Sequence, residues 1–501
     1  MIADFLSYVK SYQKSRGITD TSQIKQMSLR QEFMWLSLIL IIGLSLRLLF
    51  ITLFPTKPFS DFLSLLDFAI VFRDDWVVKN AWQWYYLSPG LPLILSIVLR
   101  FVHQSPEIVG RWTTAFITGL VPVLPYLMWK DVLSPRTRII AALFLAIWPS
   151  QILFSSVLAQ DNWIIFPTVT ILVLAVRVLV MNKAGGNPVL FALLYGVAGA
   201  IRQEMIFALL PATLVAIYGN VGRHRIRNLF VGIASIGIVM ATLVVQRGLA
   251  TGSYTLSSPH AGKAILGAYI PGAGMGWIDP IPYVKFTYPE LMNDGDSDRE
   301  LAKVAWGITW REFMDRPVFH AVRIFGAALT NLFEMDSQLA WLSVGEEMLP
   351  PGYQKNASRL TNHLLPLFKF YPVVINLLFT SALFFTFSHR HLLKWITPIL
   401  VTIVLKVGLH AVVVSQARYY LVVIALEILV VSIVWDSMLN KENWKQSLRF
   451  VTVGIVTILL LIVFMNYAKG YIKSHDIVLY SPYKLSDYAS NTVLSRSGLR
   501  E

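Results

Sequence analysis

The sequence predicts an all-α, polytopic membrane protein of about eleven transmembrane helices, with two extracytoplasmic loop regions. Three observations predict it. Of the 501 residues, 55% are hydrophobic and only 14% are charged, against about 25% charged in an ordinary soluble chain; mean hydropathy is +0.58. Apolar runs of spanning length recur along the whole chain. The basic excess, 43 Lys and Arg against 29 Asp and Glu, is concentrated in a few short segments. Such a composition excludes a soluble multidomain enzyme and a disordered chain. The absence of cysteine excludes a disulfide framework, a thiolate metal site and a cysteine nucleophile.

The elements follow in order. In segment 1–31, Ile2, Phe5, Leu6 and Val9 recur at helical spacing beside Lys10 and Lys14. This predicts a cytoplasmic amphipathic helix at the membrane interface. Region 32–247 holds the first seven spans. The first, 33–54 (FMWLSLILIIGLSLRLLFITLF), is too long and too far from Met1 for a signal peptide, and no small-residue cleavage pattern follows it. An extracytoplasmic loop, 55–108, comes next. Its apolar stretch LPLILSIVLRFVH (91–103) is short for a span and suits an interfacial or re-entrant helix. Further spans are expected at 110–129, 138–156, 162–181 and 228–247. The run 188–219 suits two short spans broken at Arg202-Gln203-Glu204.

Region 248–369 is the second extracytoplasmic loop. Gly/Pro punctuation (PGAGMGWIDPIP, 271–282) and an acidic patch (NDGDSDRE, 293–300) mark its first half. Val318, Val322, Phe325, Leu329 and Leu332 then fall on one helical face, which predicts a helix on the outer membrane surface. Region 370–468 holds the last four spans, near 370–387, 392–414, 419–435 and 450–467, and 469–501 is an extracytoplasmic tail.

Charge orients this arrangement. With the N-terminus inside, the segments 1–31, 130–138, 177–187, 220–228, 388–394 and 436–449 hold 18 Lys/Arg and 5 Asp/Glu. The positive-inside rule is met at every cytoplasmic loop. The basic excess therefore sets topology, and nucleic acid is not an expected partner.

Topology sorts the remaining polar residues. Asp61 follows span one, Asp161 opens span four, Arg202 and Glu204 sit at the break between spans five and six, and Arg418, Tyr419 and Tyr420 open span ten. All lie at the outer membrane level, where charge near hydrocarbon tends to be paired or functional. Structural readings stand beside this one. Asp61 and Asp161 could cap helices, Arg202 and Glu204 could form a structural ion pair, and Arg418 could reach to the interface.

The order of these features resembles the GT-C fold of membrane glycosyltransferases, such as protein O-mannosyltransferases and lipid A aminoarabinose transferases. The family's acidic residue just after the first span is matched by Ser60-Asp61. Its Pro-rich, Tyr-containing segment is matched by YYLSPGLPLILSIVLRF (85–101), and its Arg at the start of span two by Gly110-Arg111-Trp112. The passage AIWPSQILFSSVLAQD (146–161), the Gly-rich helix YGVAGAIRQE (195–204) and the late QARYYLVVIALEILV (416–430) match three further family features. TWREFMDRPVFHAVRIFGAALTNLFE (309–334) resembles the family's outer loop. The resemblance covers about 30–440.

This resemblance implies a sugar donor on a polyprenyl phosphate, used at the outer face of the cell membrane with inversion at the anomeric carbon. The acceptor would be an envelope protein, glycan or lipid. Asp61 is then the candidate general base, with Asp161 as its orienter or alternative. Arg418, Arg202 and Arg111 are candidates for the donor phosphate, because the guanidinium fork matches phosphate oxygens. Trp84, Tyr85, Tyr419 and Glu204 are candidate substrate contacts. Phe62 follows Asp61 where many relatives have a second acidic residue, and Trp84-Tyr85-Tyr86 stands where some carry a metal-ligating Glu. The cofactor is therefore unknown: a divalent metal is left open and is not indicated by the sequence. A polymerase or ligase of lipid-linked oligosaccharides is an alternative. So is a lipid-linked sugar transporter or flippase, although internal repeats, common in transporters, are not evident.

Overall fold

Every regular element among the described residues is helical. The computed structural model describes residues 27–58, 60–75, 87–181, 187–218, 225–255, 261–274, 277–288, 290, 297–333, 349, 351–413, 419–438 and 444–478. The amphipathic N-terminal helix expected before residue 27 lies outside them, as does the tail beyond 478.

Among the described residues, eight helices are long and apolar enough to cross a membrane: Leu29–Leu53, Pro106–Met128, Gln160–Val180, Ile226–Thr251, Phe370–Ser388, Leu392–Val413, Leu421–Met438 and Ser447–His475. The first starts at a capping box, in which the Ser28 hydroxyl accepts from the Gln31 N–H and the Gln31 side chain accepts from the Ser28 N–H at 3.0 Å. The other three expected spans are shorter or broken. Pro188–Ile201 and Met205–Tyr218 have 14 residues each and are separated at residues 202–204, as the sequence predicts. The run 138–156 is two helices, Pro135–Ala146 and Pro149–Phe154. Pro149 lacks an N–H and disfavours helical backbone at Trp148, so the first helix ends there. The buried Arg47 of the first span takes up the carbonyls this break releases. Its guanidinium donates to Ala146 O at 2.9 Å, Leu145 O at 3.2 Å, Gly43 O at 2.8 Å and Gln151 Oε1 at 2.6 Å.

Burial separates centre from rim. In Leu421–Met438 and Gln160–Val180, 78% and 72% of the apolar window is buried; in Ile226–Thr251 the figure is 6%. Central spans therefore pack on protein, and the rim span turns its side chains to lipid. At the end carrying the basic loops, Glu32 accepts from Arg138 at 2.9 Å and from the Tyr126 hydroxyl at 2.8 Å. There Asp436 also accepts from Thr137 Oγ1 at 2.6 Å.

At the opposite end, helices Ser60–Asp74 and Gly90–Phe101 pack together between the first two long spans. The region after span Ile226–Thr251 has a small core of its own, formed by Leu266, Ile270, Tyr283, Val284, Leu301, Ala305 and Ile308. Two later helices add detail. Helix Pro317–Phe333 exposes Val318 and Phe325 of its apolar stripe and buries Leu329, along with His320 and Arg323. An apolar stripe at a membrane surface can face lipid, so the polar side turns inward to partners on the protein. The last helix, Trp444–Val478, also runs past residue 468 into the expected tail.

Candidate active site

Four chain segments converge at the end of the bundle opposite the basic loops. Asp161 comes from the short helix Gln160–Trp163, which leads into the third long span. The turn before it is held by the Asn162 amide, which donates to Val157 O at 3.1 Å, and by Trp163 Nε1, which donates to Thr114 Oγ1 at 2.9 Å. Arg202 ends helix Pro188–Ile201 in an extended conformation. Glu204 lies two residues on, before helix Met205–Tyr218. Lys406 and His410 come from the last turns of span Leu392–Val413, and Tyr419 precedes helix Tyr420–Met438.

These groups form one network. Arg202 Nη1 donates to Asp161 Oδ1 at 2.6 Å, and Arg202 Nε to Glu204 Oε1 at 2.5 Å. Lys406 Nζ donates to the same Glu204 oxygen at 2.9 Å and lies 2.6 Å from His410 Nε2. The Tyr419 ring stacks on His410 with centroids 4.1 Å apart, and the Arg202 guanidinium sits over it at 4.7 Å. Asp161 is 2% exposed and Lys406 fully buried. Among the described residues, two carboxylates face one guanidinium and one ammonium group, an arrangement whose formal charges balance, as buried ionic groups require. Arg202 Nη2 makes no hydrogen bond with a described residue.

The structure thus joins Asp161, Arg202, Glu204 and Tyr419, four of the residues singled out from the sequence. It does not join Asp61 or Arg111 to them by a direct contact. Asp61 is exposed in the first turn of Ser60–Asp74, where the helix N-terminus favours a carboxylate. Arg111 is half-buried and donates to Thr56 O at 2.9 Å, so it spends a guanidinium N–H on the linker leading to Asp61. The Thr56 hydroxyl donates to Ser156 O, and Gln160 Nε2 to Ser88 O at 3.2 Å. These bonds tie the segment between the first two long spans to the passage carrying Asp161. Trp84, Tyr85 and Arg418 lie outside the described residues.

Sequence reasoning missed Lys406 and His410. Their signal was present: KVGLH places a lysine and a histidine one turn apart in an otherwise apolar span. The described residues hold no group of three His, Asp or Glu placed to bind a metal ion.

No family model matches this chain, and no curated protein does. Solved structures do match at low similarity. Crystal structures of the Archaeoglobus fulgidus oligosaccharyltransferase, one with zinc and sulfate and one in the apo form, align at a TM-score of 0.41 and 14% identity. They cover 88% and 89% of this chain and 53% and 56% of theirs. The archaeal oligosaccharyltransferase AglB from the same organism, in complex with an inhibitory peptide and a dolichol-phosphate, aligns at 0.37 and 14% identity, covering 89% of this chain and 56% of that one. The chain spans about half the length of the solved chains it matches. Likeness at this level assigns neither family nor activity.

Proposed function

We propose that this protein is a multi-pass cell-membrane glycosyltransferase. It takes a sugar from a polyprenyl-phosphate-linked donor and passes it, with inversion, to an envelope acceptor at the extracytoplasmic face, with the N-terminus in the cytoplasm. Its partners are the lipid-linked donor, the acceptor and the bilayer, and no nucleic acid. The observation that carries the reading is the charge-balanced cluster of Asp161, Arg202, Glu204 and Lys406, assembled from distant segments at the membrane end opposite the basic loops.

In this reading the acceptor hydroxyl attacks the anomeric carbon and its proton passes to Asp61, a carboxylate open to an incoming acceptor. The bond from that carbon to the phosphate oxygen breaks, and the electron pair leaves with the polyprenyl phosphate. Arg202 offers the uncommitted Nη2 edge of its fork to the phosphate, whose negative charge grows as the bond breaks. A cation held in place before that charge develops stabilises the transition state. Asp161 orients Arg202. Arg418 supplies a second cation to the phosphate, Arg111 sets the linker before Asp61, and Tyr419, Trp84 and Tyr85 provide aromatic surface for the donor.

Mass spectrometry of envelope glycans, glycoproteins and glycolipids in a strain lacking this protein tests the reading. A sugar absent from one envelope component, restored by the wild-type chain and not by Asp61→Asn at equal membrane abundance, is expected. An unchanged profile in the deletion strain would sink the proposal. Restoration by Asp61→Asn would remove Asp61 as the base.

A further inference from the structure

Lys406 is the member of the cluster that no sequence feature of the outer face announced. It is fully buried in span Leu392–Val413 and touches neither Asp61 nor Asp161 in any hydrogen bond. Its ammonium group has only donors, so with Lys406 as the charged donor of the 2.6 Å contact, His410 Nε2 accepts and His410 adds no positive charge. The same nitrogen lies 3.4 Å from Glu204 Oε1. Among the described residues, Arg202 and Lys406 face Asp161 and Glu204.

We infer that Lys406 is a positioning and charge-balancing residue for the transfer, acting through Glu204 on Arg202. The inference rests on the glycosyltransferase reading above. Glu204 Oε1 is shared by Arg202 Nε and Lys406 Nζ. With Lys406 present, one carboxylate is left to offset Arg202. Without it, two described carboxylates surround one guanidinium, and the site beside the donor phosphate is one positive charge poorer. The donor is a phosphodiester with one negative charge, and the departing monoester carries up to two. An uncompensated carboxylate therefore opposes the transition state more than the bound donor. Loss of Lys406 should lower kcat more than it raises KM for the donor. The same loss lets Glu204 pull on Arg202, and misplacement of a reacting group by about 1 Å can cost about 100-fold in rate.

The test uses full-length protein in nanodiscs and undecaprenyl-phosphoryl-mannose as the probe, with envelope membranes from the deletion strain as acceptor. Release of undecaprenyl phosphate is the readout. Lys406→Met should reduce kcat by about 100-fold with a smaller change in KM, and Lys406→Arg should retain most activity. The double variant Glu204→Gln with Lys406→Met restores charge balance and should recover much of the loss. A residue that only packs the span would not be rescued by removing its partner's charge. Wild-type kcat in Lys406→Met, or a double variant no better than the single, overturns the inference. If Lys406→Met does not fold, activity of the double variant carries the same decision. Wild-type protein that neither binds nor consumes the probe, while transferring no envelope sugar, overturns the underlying reading instead.

Discussion

Gly90→Ala tests how closely the segment between the first two long spans is fitted to the cluster. Gly90 opens helix Gly90–Phe101 and is buried. A methyl group built on it would lie 2.5 Å from both Ala200 C and Ile201 N, and 2.8 Å from Ala200 O. These are backbone atoms and cannot rotate away. To reach ordinary contact at 3.4 Å the two segments must part by about 0.9 Å. Overpacking of this kind costs about 1–3 kcal/mol. Alanine also restricts the unfolded chain more than glycine does, a gain of about 0.4–1 kcal/mol. Overpacking wins, and the net loss should be about 1–2 kcal/mol.

The functional consequence should exceed the stability loss, because Ile201 directly precedes Arg202. A displacement of that size would stretch the 2.6 Å bond from Arg202 to Asp161 to the edge of hydrogen-bond range. Thermal unfolding in detergent, run beside the transfer assay, reads both effects. Gly307→Ala is the control, since nothing lies within 4 Å of a methyl group there. Gly90→Ala is expected to unfold at a lower temperature and to lose transfer at temperatures where it is still folded. Gly307→Ala should match or exceed wild type. A Gly90→Ala protein as stable and active as wild type would refute the close-approach argument.

Two other outcomes follow from the same structure. Arg202→Met leaves the buried Asp161 without its cation and should cost about 3–5 kcal/mol; adding Asp161→Asn should return much of that in a melting experiment, because Glu204 and Lys406 still balance each other. His320 is fully buried among Tyr269, Phe313 and Phe319, and burial, aided by Arg323 and Arg316, pushes its pKa down to about 3. The unfolded histidine binds a proton near pH 6.5 and the folded one does not, so this stability is present above that pH and is lost as pH falls from about 6.5 toward 3. The melting temperature of wild type should therefore drop more between pH 7 and pH 4.5 than that of His320→Phe; equal drops would refute it.

Much of the fold was legible because lipid imposes a simple rule. Each span must be apolar over its length, and the loops on one side must be basic. The break at Arg202-Gln203-Glu204 could be read because it interrupts an apolar run with three polar residues. The break at residues 147–148 could not, because Ile147 and Trp148 are as apolar as their neighbours. What ends that helix is Pro149, and what makes the end tolerable is Arg47, about a hundred residues away in sequence. A buried arginine capping released carbonyls is a tertiary event with no local pattern. Helix Pro317–Phe333 meets a related limit. Periodicity finds an apolar face, but it does not say whether that face meets protein or lipid.

The same distinction governs the site. Charges at the ends of spans announce themselves, and Asp161, Arg202, Glu204 and Tyr419 were found that way. Lys406 lies inside a span, where it would be costly if alone. It becomes tolerable only once Glu204 arrives from a different helix. Glu204 is itself tolerable only because Arg202 and Lys406 share one of its oxygens. Neither pair explains itself, since Arg202 between two carboxylates would be overcompensated and Lys406 without Glu204 would be an unpaired cation. The cluster is stable as a unit of four charges from three separate parts of the chain. For that reason removing two opposite charges should be milder than removing one. A donor phosphate would enter a site already neutral and already held, so its own charge, and the charge that grows on it, would be the one left for Arg202 to meet.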